Sequence, residues 1–211
     1  VEPPPTGRRQ ITWLALAAMA SFLLLAFTNH ICQNVASLPF LWILPLSIYL
    51  ATFILCFEHS RWYRRVIFLL LAAMVLPVMA WQSASLDLKL VIPMYLAGLF
   101  ICCMCCHGEL ALVKPAPAHL TRYYLMIALG GAIGGLLVGL LAPYVLAGYF
   151  ELQVGLVACA LLLFSRLART TWWAALTSAA VVAGTVWGGA SAIERQIAGS
   201  RVMARNFYSV V

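Results

Sequence analysis

The feature that most constrains this chain is a succession of long, unbroken apolar runs. They fall at about residues 11–28, 35–57, 66–81, 88–106, 123–146, 150–167 and 172–190. A helix needs about 20 apolar residues to cross the hydrocarbon core of a bilayer, since the core is about 30 Å thick and each residue rises about 1.5 Å. The runs are continuous rather than alternating, which excludes a transmembrane barrel. Of the 211 residues, 64% are hydrophobic and 9% charged. A water-soluble domain carries about 25% charged residues, so soluble enzymes, disordered tails and secreted scaffolds are excluded. The expected fold is all-α: a polytopic integral membrane bundle of about seven transmembrane helices whose first partner is the lipid bilayer.

The organisation follows from where polarity returns. Residues 1–10 (VEPPPTGRRQ) read as a proline-rich, basic, linker-like lead-in. Residues 11–190 form the transmembrane domain and residues 191–211 a polar, basic tail. The chain opens on Val1 and shows no signal peptide pattern, so preceding residues are expected. Pro39 and Pro45 should disturb the second crossing, and Pro77 should kink the short third one near its end.

The net charge is +7. In a soluble protein that excess would suggest nucleic acid; here the basic residues sit in short loops, where they set orientation, and no nucleic-acid partner is expected. Alternate loops divide them unevenly. Arg8, Arg9, Arg61, Arg64, Arg65, Lys114, Arg122, Arg166 and Arg169 fall on one side, and Lys89, Arg195, Arg201 and Arg205 on the other. The richer side should be cytoplasmic, and seven crossings would then put the tail across the membrane from it.

Three places could carry chemistry. The run ICCMCCHGEL gathers Cys102, Cys103, Cys105 and Cys106 at the end of the fourth crossing, with His107 and Glu109 just beyond. On a helix Cys102 and Cys106 share a face, and Cys103 lies one turn from His107. Thiolates and an imidazole suit a soft metal. The spread of the cysteines around the helix argues against one shared ion, so Cys102, Cys103, Cys106 and His107 are weak metal candidates. Small apolar packing and acylation are the other readings. The seven cysteines are an odd number without the spacing of a secreted disulfide framework.

The following stretch brings His107, Glu109, Lys114, His119 and Arg122 into a candidate cytoplasmic-loop site. In it Glu109 would pair with Lys114 or Arg122, and Thr121 would help start the next helix. An interfacial anchor of basic and aromatic residues is one reading of that loop; a contact for an anionic headgroup or a partner domain is the other. On the opposite side, residues 28–34 link the first two crossings, and Asn29, His30, Gln33 and Asn34 form either a candidate polar pocket or a satisfied interfacial turn. Glu58, His59, Asp87, Lys89 and Glu151 read as solvated helix-end residues. The fifth crossing carries Gly130, Gly131, Gly134, Gly135 and Gly139, whose small-xxx-small spacing lets helix backbones approach closely. A homo- or hetero-oligomer through that helix is expected alongside packing within the chain.

Three stretches together resemble a bacterial family, the membrane-anchored polyamine aminopropyltransferases, or fused transporter-like/spermidine synthase proteins. The first is residues 21–57, with a Thr-x-His turn (Thr28, His30) followed by a Pro-x-x-Trp-x-x-Pro-Leu helix (Pro39, Trp42, Pro45, Leu46). The second, residues 106–135, holds the Cys-His-Gly-Glu-Leu run, the Pro-Ala-Pro-x-His-Leu-Thr loop and the glycine-rich helix. The third, residues 205–211 (RNFYSVV), is similar to the opening strand of the synthase domain, with Ser209 where the family usually has Gly. The resemblance covers most of the chain. It implies a bacterial inner-membrane module that anchors a following synthase-like domain, with or without a part in handling polyamine or a related substrate, and with no catalytic residue and no cofactor in this chain: the donor-binding glycine loop and the acidic base of the family lie in the domain that would follow. Cys102, Cys103 and Cys105 are additions to the family pattern. The charge count also places Arg205 across the membrane from the cytosolic aminopropyl donor. Two readings from other classes stand beside this one, a transporter or channel half-domain and a structural subunit of a larger membrane complex.

Overall fold

The computed structural model describes residues 5–35, 39–59, 61–82, 88–146, 148–167 and 172–199, and among these every regular element is helical. The order is α1 (Gly7–Val35), α2 (Pro39–Glu58), α3 (Arg65–Gln82), α4 (Leu88–Leu112), a 3-10 turn (Pro117–His119), α5 (Leu120–Leu136), a π-helical segment (Leu137–Leu141), α6 (Ala142–Val145), α7 (Glu151–Leu167) and α8 (Trp172–Gly199). The turn, α5, the π segment and α6 form one continuous rod. Counting that rod once, 6 helices among the described residues are long and apolar enough to cross a membrane. α7 is apolar but shorter; its 17 residues rise about 26 Å. The chain is a polytopic helical membrane bundle.

Contacts between the helices fix their directions. Trp13 near the start of α1 donates to the Val113 carbonyl just past α4, at 3.1 Å, and Arg65 at the start of α3 pairs with Glu109 near the end of α4. Tyr123 at the start of α5 donates to the Leu110 carbonyl. Ser165 near the end of α7 lines a groove with Arg8 and Arg9. These residues define one basic end. At the other end Arg195 of α8 donates to the Trp81 carbonyl of α3 at 2.7 Å, and the Trp81 and Trp187 rings stack at 4.6 Å. Gly184 lies over Pro77 and Gly188 over Trp81, so α3 and α8 run parallel. α7, although short, returns from the far end to the basic end.

Several boundaries differ from the sequence expectation. α1 starts at Gly7, inside the expected linker, and extends through 28–34, so the expected link between crossings is helix; nothing before Pro39 forces the backbone to stop. Pro45, Pro77 and Pro93 all lie inside helices. α4 runs past Cys106 to Leu112, so His107 and Glu109 are helical rather than in a loop. The rod begins with Pro117 at the first turn position, where its missing N–H costs nothing, and Thr121 caps nothing. α8 continues through Ser191 to Gly199, taking the first part of the expected tail into helix. Residues 200–211, with the RNFYSVV stretch, lie outside the described residues.

α4 holds the most enclosed span: within Ile92–Leu112, 67% of an apolar 18-residue stretch is buried, against 17–39% for the matching stretches of the other five. Its four cysteines are all buried, and as small, polarizable apolar side chains they let α1, α2, α3 and α7 close around it. α1 packs on α5 along the glycine face. A Cβ on Gly130 would lie 2.5 Å from the Leu14 carbonyl oxygen, and one on Gly134 would run into the carbonyl of Ala18. Gly131 and Gly135 have only ordinary contacts or looser ones, and Gly139 faces open space. The tightest small-residue pair is therefore occupied within the chain by α1.

Candidate functional site

The chemistry-bearing residues that the structure brings together lie along the last turns of α4, between α2 and the start of α3. His107 is 1% exposed. Its Nδ1 lies 3.1 Å from Thr52 Oγ1 on α2. Thr52 donates its single hydroxyl proton to the Tyr49 carbonyl at 2.8 Å, so it accepts from Nδ1–H, and Nε2 carries the lone pair. The Tyr49 and Phe53 rings meet the imidazole edge-on, with centroids 4.9 and 5.3 Å away. Nε2 is buried and has no hydrogen-bond partner among the described residues. Tyr49 Oη in turn lies 3.4 Å from Ser21 Oγ of α1.

Two residues further on, Glu109 is 5% exposed. Arg65 grips it as a fork, Nε to Oε1 at 2.6 Å and Nη2 to Oε2 at 3.3 Å. The Tyr63 hydroxyl donates to Oε1 at 3.1 Å. Burial, reinforced by the nearby Glu109 carboxylate, pushes the Tyr63 hydroxyl well above its usual pKa, so it remains a donor. Gly108 explains how Tyr63 reaches the carboxylate: a Cβ there would lie within 2.5 Å of three carbons of the Tyr63 ring, which packs against α4 at that point. Glu109 therefore pairs with Arg65 and Tyr63 rather than with the expected Lys114 or Arg122. Those two side chains are exposed, and His119 is half-buried in the 3-10 turn. The expected loop site is thus divided, with His107 and Glu109 in the core and Lys114, His119 and Arg122 outside it.

The other candidates resolve separately. Among the described residues no three His, Cys, Asp or Glu side chains are placed to hold a metal ion. Cys105 donates to the Phe68 carbonyl of α3 at 3.4 Å, His107 turns to α2, and Cys102, Cys103 and Cys106 sit in the apolar core. On α1, the His30 ring packs 4.7 Å from Tyr95, which also meets Phe27 edge-on at 6.0 Å. Asn29 is half-buried, and the side chains of Gln33 and Asn34 lie outside the described residues. Glu58 and His59 are exposed, whereas Glu151, expected to be solvated, is 2% exposed in the first turn of α7. A carboxylate there is favoured by the helix N-terminus. Asp87 and the Lys89 side chain lie outside the described residues.

Sequence reasoning missed Thr52, Tyr63 and Arg65 as members of this centre. Each is an ordinary residue for its position, and its partner is 44–55 residues away. Compared with known protein families, characterised proteins and solved structures, the chain shows no match.

Proposed function

We propose that this chain is the non-catalytic membrane module of a spermidine synthase-like polyamine aminopropyltransferase, anchoring the enzyme domain in a bacterial inner membrane. One observation supports the reading: the two internal stretches that carry the resemblance interlock. Tyr49, Thr52 and Phe53, from the first stretch, enclose His107 of the second. Within the Cys-His-Gly-Glu-Leu run, Cys106 fills the core, His107 bonds α2, Gly108 seats Tyr63, Glu109 holds Arg65, and the Leu110 carbonyl receives Tyr123. A run whose members all hold helices together suits an anchor better than a reactive centre. His107 and Glu109 act here as positioning residues for the bundle.

The test compares the 211-residue chain in proteoliposomes with the protein purified from its native membrane, both given decarboxylated S-adenosylmethionine and putrescine. The isolated chain should transfer no aminopropyl group and pass no polyamine above protein-free vesicles, while the native protein transfers it. Transfer by the isolated chain would overturn the non-catalytic reading. Polyamine flux would move the assignment to a transporter half-domain. Absence of transfer by the native protein would remove the synthase reading altogether.

A further inference from the structure

We infer that a small cleft at the basic end, between the last turns of α2 and α4, binds a fatty acid, with the alkyl chain in the cleft and the carboxylate on Lys114. The cleft has a volume of about 140 Å³. Cys56 and Phe57 of α2, Tyr63 of the linker after it, and Ala111 and Leu112 of α4 form its walls, and the exposed Lys114 completes the lining. The other polar side chains in it are engaged elsewhere. The Tyr63 hydroxyl donates to Glu109 at 3.1 Å. The Cys56 thiol turns to the Met104 carbonyl and sulfur, at 3.9 and 3.7 Å. Lys114 forms no ion pair and no side-chain hydrogen bond among the described residues. Glu109, the acid nearest to it in sequence, is held by Arg65 and Tyr63, and no carboxylate lies among the described lining residues.

Size, polarity and depth together select the ligand. An internal water needs about two to four polar partners; the side chains here offer one, so the cleft suits an apolar body with a single anionic end. A dry cavity of about 150 Å³ takes a benzene ring, so this one holds an alkyl segment of about six carbons and only one chain. Polarity runs in one direction along it. Lys114 lies beyond the α4 span, at the level of the headgroups, whereas Gly108 and Cys56 lie within the spans of α4 and α2. An amphiphile therefore sits head outward, as it does in a bilayer, and the ammonium, a compact point charge, matches one carboxylate.

The experiment measures saturable binding of isotopically labelled carboxylates to the purified 211-residue chain held in an amphipathic polymer. Octanoate should bind about three- to fivefold more tightly than octanol, the effect of about one surface ion pair. Affinity should rise about three- to fourfold per methylene from butanoate to about octanoate, the value of burying one such group, and level off once the cleft is full. Lys114→Gln should cost octanoate the same three- to fivefold, and Lys114→Arg should restore it. Lys114 is exposed and its side chain holds no helix, so this loss is separate from misfolding. Ala111→Phe, which fills the cleft, should weaken octanoate at least tenfold. Arg122→Gln, exposed at the same end but outside the cleft, should leave binding unchanged. Equal binding of octanoate and octanol, indifference to Ala111→Phe, or an equal loss in Arg122→Gln would overturn the inference. An affinity that keeps rising at the same slope to hexadecanoate would also overturn it, as simple partition onto an apolar surface. So would displacement of octanoate by equimolar phosphatidylglycerol, which would assign the cleft to a phospholipid chain.

Discussion

Glu109 shows how a single residue's environment decides its meaning. A carboxylate close in sequence to Lys114 and Arg122 reads as half of a charge pair in a surface loop, yet here it is buried against Arg65 and Tyr63. The Arg65 side chain is 43% exposed, so the pair straddles the boundary, the carboxylate desolvated and the guanidinium reaching water. Removing one partner of such a pair leaves the other inadequately satisfied. A double-mutant cycle on thermal unfolding in detergent, with Arg65→Gln and Glu109→Gln, should give a coupling energy of about 1–3 kcal/mol. The same cycle with Lys114→Gln and Glu109→Gln should be additive within about 0.5 kcal/mol. Additivity of the first cycle would dissolve the pair. The misplacement of His107 and Glu109 in the sequence reading has the same origin. Hydropathy falls at His-Gly-Glu and imitates a helix end, whereas Thr52, Tyr63 and Arg65, which make these residues tolerable inside, are adjacent only in space.

At the scale of elements, apolar run length located all seven helical passages but not their ends. Run length measures the thickness of the hydrocarbon, and a helix stops where its backbone hydrogen bonds find no successor; α1, α4 and α8 all continue through polar residues for that reason. The glycine helix was legible as a packing element, because small residues spaced by four are what close backbone approach requires. Which glycines do the packing was not legible, since it depends on how α5 is turned toward α1. Gly134 meets the Ala18 backbone and Gly139 meets nothing within 4 Å. Gly134→Leu should therefore lower stability by about 1–3 kcal/mol or more, because backbone cannot step aside for the new side chain. Gly139→Leu should be neutral or slightly stabilising as helix propensity improves. Thermal unfolding of both variants in one detergent checks this, and equal losses would contradict the α1–α5 packing.

For the whole molecule, seven helices passing alternately between two ends put the start of α1 and the end of α8 at opposite ends. The basic end carries Arg8, Arg9, Arg61, Arg64, Arg65, Lys114 and Arg122, and the far end Arg195. Cytoplasmic retention of the richer side predicts that an impermeant maleimide labels Arg61→Cys only after the membrane is opened, while Ile197→Cys labels in intact cells. The opposite pattern would show that the loop charges do not set the orientation. A domain following α8 would, in the expected orientation, sit across the membrane from a cytosolic aminopropyl donor; the reversed one brings domain and donor together against the charge rule. The measurement that tests the central claim most directly is the intact mass of the protein purified from its native membrane. The account predicts a mass several tens of kDa above the 23.1 kDa of this chain, as a module joined to a synthase-like domain requires. A mass near 23.1 kDa would contradict it and leave a free-standing membrane subunit.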